Sequence, residues 1–429
     1  MSASCAARTD ASVQQRYRAE LDEGRWAEAY VLSGELLCDA ESLELARELV
    51  QLWDRVGRPG EPQQNVDCTL GDTTTRYMDA LAAAVREDYD RSATLLRAAA
   101  KSASRPQKAE LRFREGVVLA MGNRPSDAVA ALEGASVADP RRVDVRLALA
   151  SARLDALGPE PAIETLKGIL SLTPSSRELK RAREILNRAV RAGEPKMEPA
   201  LAVEISNLLG AIEKDQVSSE TALRLRERTG EGAHPKLLMV SGLVLMKLGR
   251  LAEGSHALVA AASANPLDAA ALRSLGTTLF TAGQVEMALP HLREAARRDP
   301  FDADTLKTLA EGSAAVGDVQ TAAVAYEKLV VLEPRNPEHY LWIARMERRR
   351  GDLPSARRAA LRGCELVTSS IPLYLERASI EAQIALSTDD PAQRRQASAR
   401  TRDAVDALLE IAPGHPGARP ILESLEAID

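Results

Sequence analysis

Five histidines and four cysteines are the side chains of this chain best suited to proton transfer, nucleophilic attack or metal binding. His234, His256, His291, His339 and His415 are scattered, and none sits in an HExxH pair that would hold zinc on one helix face. Ser255-His256 puts a nucleophile beside a base in sequence. Adjacent residues on a helix point in different directions, so the two cannot share a proton. The paired carboxylate Asp389-Asp390 precedes Pro391 and has the composition of a helix start rather than of an acid/base pair. Cys5, Cys38, Cys68 and Cys364 include no CxxC, so neither a disulfide framework nor a zinc site is suggested; reduced thiols fit a cytoplasmic protein. There is no GxxxxGK[ST] phosphate loop, no GxSxG elbow and no dinucleotide-type glycine run after a strand. The expectation is therefore no catalytic residue, no metal, no cofactor and no enzymatic activity.

Composition sets the remaining classes. The chain has 429 residues, 45% hydrophobic and 28% charged, which is the balance of a folded chain rather than a disordered one. Only 3% is aromatic, and Ala and Leu dominate, which favours helix. Basic residues number 56 and acidic 62, for a net charge of −6, so nucleic acid is not an expected partner. Arginine outnumbers lysine in the manner of GC-rich bacterial coding, so arginine counts are not functional evidence. The helix from Arg177 to Arg191 is basic, but Glu178 and Glu184 interrupt it and no aromatic is interleaved; it reads as a solvated face. No apolar run approaches the roughly 18 residues of a membrane helix. The opening MSASCAARTD has no apolar stretch, and residues 1–9 read as disordered. A cysteine after small residues is also how a mature lipoprotein begins. A lipidated Cys5 would therefore move the expected location from the cytoplasm to the periplasm or outer membrane.

The chain repeats itself. Asn265-Pro266, Asp299-Pro300 and Glu333-Pro334 recur every 34 residues, and Asp139-Pro140 and Thr173-Pro174 show the same spacing. Between them Leu272, Leu275, Gly276 and Leu279 lie on one helix, Gly283 marks a turn, and Ala288, Leu292 and Ala295 lie on a second helix. The following unit repeats this with Leu306, Leu309, Ala310, Gly317, Ala322, Tyr326 and Leu329; the preceding one does so with Leu238, Gly242, Leu245, Gly249, Leu258 and Ala261. Small residues let paired helices approach, large ones three and four apart fill the groove, and proline separates one unit from the next. One pair cannot bury its own apolar face, so stacking must do so.

In these positions the chain resembles the tetratricopeptide-repeat family between about residues 73 and 370. The resemblance implies an all-α fold, a right-handed superhelical solenoid of stacked antiparallel helix pairs. It also implies that the first helix of each pair lines a concave groove. By phase, the groove residues are Phe113 and Met121 in one unit; Lys236, Met239, Leu243, Met246 and Lys247 in another; and then Arg273, Thr277, Phe280, Lys307, Arg345 and Arg348. Met239, Met246 and Phe280 would form an adaptable apolar stripe bordered by basic residues, suited to a peptide or amphipathic helix bearing carboxylates. Met246→Glu or Phe280→Glu is expected to abolish partner binding with helicity intact. Some family members hold a terminal carboxylate with two asparagines. Leu243 and Thr277, or Thr277 and Glu311, stand at those places here, so that mode is not expected.

The expected organisation is a disordered 1–9, N-terminal helices and linker over 10–72, a first sub-array over 73–193, a central and C-terminal array over 194–370, and an insertion-bearing last pair with a capping helix over 371–429. The expected function is a bacterial protein-binding scaffold or adaptor that presents a pre-formed groove. Two alternatives are a cell-envelope assembly factor, or lipoprotein-like accessory, of a secretion, pilus or polysaccharide machine, and a ligand-binding regulatory sensor.

Overall fold

The computed structural model describes residues 3–39, 42–230 and 232–426, with side chains from residue 13 on except at 39. Residues 3–9, expected to be disordered, form the start of a helix; residues 1–2 and the Cys5 side chain fall outside the described residues and side chains. All secondary structure among the described residues is helical, and the chain divides into two compact units.

The first unit comprises residues 1–172 and 180–192. It holds α1 (Ala3–Asp22), α2 (Trp26–Asp39), α3 (Leu43–Arg55), α4 (Asp72–Val85), α5 (Tyr89–Ser102), α6 (Arg105–Met121), α7 (Pro125–Ala138), α8 (Val143–Leu157), α9 (Pro159–Leu166) and most of α10 (Ser176–Ala192). From α1 to α9, each helix packs against its successor. Glu115 of α6 is 1% exposed, and Arg97 of α5 and Arg112 donate to its two oxygens at 2.8 and 2.7 Å. A buried carboxylate held this way costs about 3–5 kcal/mol to orphan, so it fixes how neighbouring hairpins dock.

The segment between α3 and α4 reads as a linker by composition, but it lies as a strap on α2, α3 and α4. A short 3-10 turn at Pro62–Asn65 anchors it. Asn65 donates its side-chain amide to the Tyr30 carbonyl at 2.6 Å, and Trp53 donates its indole N–H to the Gly60 carbonyl at 3.3 Å. Gly34 admits the Asn65 backbone where any β-carbon would collide with it. Here the expectation of reduced cysteines is corrected: Cys38 and Cys68 form a disulfide, with Cα atoms 5.8 Å apart. Thirty residues separate them in sequence, and only the returning strap brings them together. Cys364 is a free, buried thiol.

The second unit comprises residues 173–179 and 193–429. It holds α11 (Pro199–Glu213), α12 (Ser219–Arg228), α13 (Pro235–Lys247), α14 (Leu251–Ala264), α15 (Ala270–Thr281), α16 (Val285–Arg298), α17 (Ala303–Ala315), α18 (Val319–Leu332), α19 (Pro337–Arg350), α20 (Leu353–Leu366), α21 (Ile371–Ser387), α22 (Pro391–Ile411) and α23 (Ala418–Glu426). From α13 to α22, antiparallel hairpins stack in chain order, which is the arrangement of a helical solenoid. The second helices α14, α16, α18 and α20 begin at Leu251, Val285, Val319 and Leu353, 34 residues apart. The turn before each is a glycine, Gly249, Gly283, Gly317 and Gly351, with φ of +76, +77, +80 and +83°. A β-carbon is disfavoured at such φ, which is why glycine and not alanine reverses the chain there. Asp318 and Asp352 then cap α18 and α20 by accepting from the Thr321 and Ser355 amides.

Packing follows the repeat. The small residue of a first helix lies against a large residue of the second; a β-carbon on Gly242 would stand 2.6 Å from Leu258 Cγ. The unit is stitched by Arg298, whose guanidinium donates to the carbonyls of Ala262, Asn265 and Asp268 at 3.1, 3.4 and 3.0 Å. These are carbonyls at the end of α14 and in the turn after it, so one side chain closes the previous hairpin's terminus. Further along, Glu381 of α21 is 1% exposed and receives Arg357 of α20 and Arg400 of α22 at 2.5 and 2.9 Å.

Candidate functional site

The first helices α13, α15, α17 and α19 carry residues in rows 34 positions apart. One row is Leu243, Thr277, Glu311 and Arg345, and every member is half-buried. A second is Met239, Arg273, Lys307 and Leu341, running from half-buried through exposed to buried. A third is Met246, Phe280, Ala314 and Arg348. α13 touches α15 and α15 touches α17, so the rows are continuous from α13 to α17. Phe280 is wedged toward α17, its ring 3.4 Å from where a β-carbon on Gly312 would stand. Met246 departs from the apolar stripe. It is 7% exposed and packs against Gly254 and the α13–α14 core.

The basic residues of these rows are largely matched already. Lys236 pairs with Glu194, and Lys247 lies 3.2 Å from Asp215. Arg273 donates to Asp302 at 2.8 Å. Burial alone would raise the Asp302 carboxyl, but hydrogen bonds from Arg273 and Thr305 outweigh it and hold it below the usual carboxylate range. Arg345 and Arg348 converge on Glu376 of α21, itself 8% exposed, at 3.5 and 2.6 Å. These pairs tie one first helix to the next. Lys307 forms no ion pair among the described residues, although its charge helps depress the Glu333 carboxyl, whose main support is the hydrogen bond with His339. Thr277, Lys307 and Glu311 are thus the part of the rows not committed to holding the stack together, and Phe280 sits beside them half-buried against α17.

Sequence phase missed Trp342, although a tryptophan in so aromatic-poor a chain was the available signal. Its ring stacks on Tyr326 with centroids 5.8 Å apart and planes 5° apart, and the Arg345 guanidinium lies 5.0 Å above it. Burial raises the Tyr326 hydroxyl above its ordinary range, and that hydroxyl has no hydrogen-bond partner among the described residues. In the first unit, Phe113 is flanked by the guanidiniums of Arg114 and Arg142 at 5.5 and 4.8 Å, and Met121 is 59% exposed at the end of α6.

The histidines have separate local roles. His234 caps α13 by accepting from the Lys236 amide, His339 bonds Glu333 at 2.7 Å, and His415 accepts from the Gly417 amide. Asp390 caps α22 by accepting from the Ala392 amide, as its place before Pro391 foretold. Among the described residues no cluster of three metal-ligating side chains occurs, and no helix is long and apolar enough to cross a membrane.

The tetratricopeptide-repeat model matches residues 77–143, 240–303 and 309–366, the regions where these hairpins are best phased. Over those three stretches the chain carries tetratricopeptide repeats. Solved structures of repeat proteins align with it at low identity. YrrB, described as a TPR protein with an unusual peptide-binding site, is 14% identical, covering 48% of this chain and all of its own, with a TM-score of 0.38. The C-terminal part of a TPR repeat-containing protein from Cytophaga hutchinsonii is 13% identical, covering 72% of this chain and 99% of its own, with a TM-score of 0.35. MamA is 16% identical, covering 42% of this chain and 95% of its own, with a TM-score of 0.33. No curated protein matches the chain. Repeats of this kind support a protein–protein interaction scaffold.

Proposed function

We propose that the second unit of this protein is a non-catalytic scaffold. The rows on α13, α15 and α17 would receive a helical or extended segment of another protein. The observation that carries this is the set of exposed Lys307 and half-buried Thr277, Phe280 and Glu311, set among residues whose charges are satisfied internally. A surface built on ordered helices loses little entropy when it binds. Because most of its basic border is already paired, the surface suits a mainly apolar segment with one carboxylate for Lys307. Affinity purification of wild type and Phe280→Glu from the native cell tests it. Proteins recovered by wild type and lost by the variant support the reading; identical recovery ends it.

A second reading, action in the cell envelope, is favoured by the Cys38–Cys68 disulfide, because structural disulfides persist mainly in oxidising compartments. Thiol labelling of the protein in intact cells, before and after reduction, tests it. Full labelling of Cys38 and Cys68 without reductant would remove the reason for it.

A further inference from the structure

A cleft of about 640 Å³ opens between α12, α13 and α14, away from the rows described above. Its size falls in the range of ligand sites rather than of buried waters. Each wall is one helix face. α13 contributes Leu238, Ser241 and Leu245; α12 contributes Ser219, Leu223 and Arg226; α14 contributes Ala252, His256 and Ala260. These spacings of three, four, seven and eight residues keep one face of each helix toward the cleft for two turns, a trough about 10 Å long at 1.5 Å per residue.

Two observations say what the trough receives. Leu223 lines it while 57% exposed, a large apolar side chain with half its surface in water. The α14 wall carries three alanines, Ala252, Ala257 and Ala260, beside Glu253 and His256, and the alanines let another helix approach closely. The charges at the mouth are unequal. Glu253 is taken by two N–H groups of Arg250, at 2.8 and 2.6 Å. The Arg226 side chain makes no hydrogen bond or ion pair among the described residues, although its charge helps depress the Glu253 carboxyl, whose main support is the hydrogen bond from Arg250. A guanidinium without a hydrogen-bond partner among the described residues, over a trough lined by Leu223, Leu238, Leu245 and alanines as well as by polar groups, complements a helix with leucine-like residues at i, i+3 or i+4 and i+7 and a carboxylate beside them.

We infer that the α12–α14 trough is a second docking site, for an acidic amphipathic helix of a partner protein, independent of the first-helix rows. The test uses the full chain and two blocked, fluorescently labelled helical peptides with the same leucine face. One carries glutamates on its polar side and the other lysines. Anisotropy is expected to show the glutamate peptide binding wild type about tenfold more tightly than its lysine twin. Ala257→Phe, which fills the trough, should weaken glutamate-peptide binding about tenfold, Arg226→Glu should reverse the preference, and Phe280→Glu should change nothing. Arg226 is exposed, so its variant keeps the test valid if Ala257→Phe misfolds. The inference is overturned if neither peptide binds, if Arg226→Glu leaves the preference unchanged, or if Phe280→Glu alone abolishes binding. Self-association of wild type that Ala257→Phe removes would make the occupant a second copy and would equally overturn it.

Discussion

Gly276 of α15 lies directly against Leu292 of α16: a β-carbon at Gly276 would stand 2.6 Å from Leu292 Cγ and 3.3 Å from the Leu292 backbone nitrogen. Gly116 and Leu132 repeat the relationship, as do Gly242 and Leu258. Ala344 and Ala360 occupy the same two repeat positions and share one cluster, so the protein itself contains a second solution in which both partners are small. Gly276→Ala gains helix propensity of up to about 1 kcal/mol, but overpacking of about 1–3 kcal/mol should outweigh it. Leu292→Ala alone should cost about 2–5 kcal/mol through the cavity it leaves. The double variant should cost less than the sum by about 1 kcal/mol or more in urea melts. Additivity within about 0.5 kcal/mol would mean that the two side chains do not compete for the same space.

Phe280→Glu and Met246→Glu should separate binding from folding. Phe280 is half-buried in the rows, so its glutamate can reach water; partner recovery should fall while circular dichroism is unchanged. Met246 is in the core, and a glutamate there is buried without a partner, so helicity and melting temperature should fall. A folded Met246→Glu with intact melting would contradict the packing described.

Arg298→Ala should destabilise the second unit by about 2 kcal/mol or more, because three carbonyls lose a charged donor. Arg298→Lys should rescue only in part, since Nη1 meets all three carbonyls while Nε donates to Glu294, and an ammonium has a single nitrogen for both tasks. Hydrogen exchange at the end of α14 should rise in both variants. Unchanged exchange there would show that Arg298 does not hold that terminus.

Acid should release the same stitch. Glu294 is held down to about 2, first by the hydrogen bond from Arg297 and then by that from Arg298. A depressed carboxylate adds stability that is fully present above its unfolded value of 4.5 and is lost as pH falls through the folded value near 2. The melting-temperature gap between wild type and Glu294→Gln should therefore be constant at neutral pH and close between those two values. A gap that closes above pH 4.5 would assign the effect to another group.

Reduction should weaken the first unit. Opening a loop of thirty residues costs roughly 3–4 kcal/mol in the chain-entropy account. Cys38→Ser should lower its melting temperature, and dithiothreitol should do the same to wild type but not to Cys38→Ser. Insensitivity of wild type to reductant would remove the disulfide from the account of stability.

Local spacing made the repeats readable. Each hairpin is specified by residues within one period: a turn glycine such as Gly283, a small residue such as Gly276 and its large partner Leu292. The same local rule placed Thr277, Phe280 and Arg345 on first helices. Whether such a side chain is available is a different kind of fact. Met246 and Phe280 share a repeat phase, yet one is core and the other half-open, because the neighbouring residues differ: Gly254 makes room for Met246. Composition likewise marked 57–72 as a connector but not its return onto α2, since a disulfide depends on where the chain comes back and not on cysteine spacing.

Sequence by itself determined the period, the helical pairs and the order of the hairpins, since each follows from propensity and contacts a few residues apart. Tertiary structure alone decided which arginines are spent on Asp302 and Glu376, which methionine is buried, that Cys38 meets Cys68, and that a trough stays open beside α12. Those depend on contacts between residues of different hairpins, and the free energy of such contacts is set by distance and burial that no single repeat encodes.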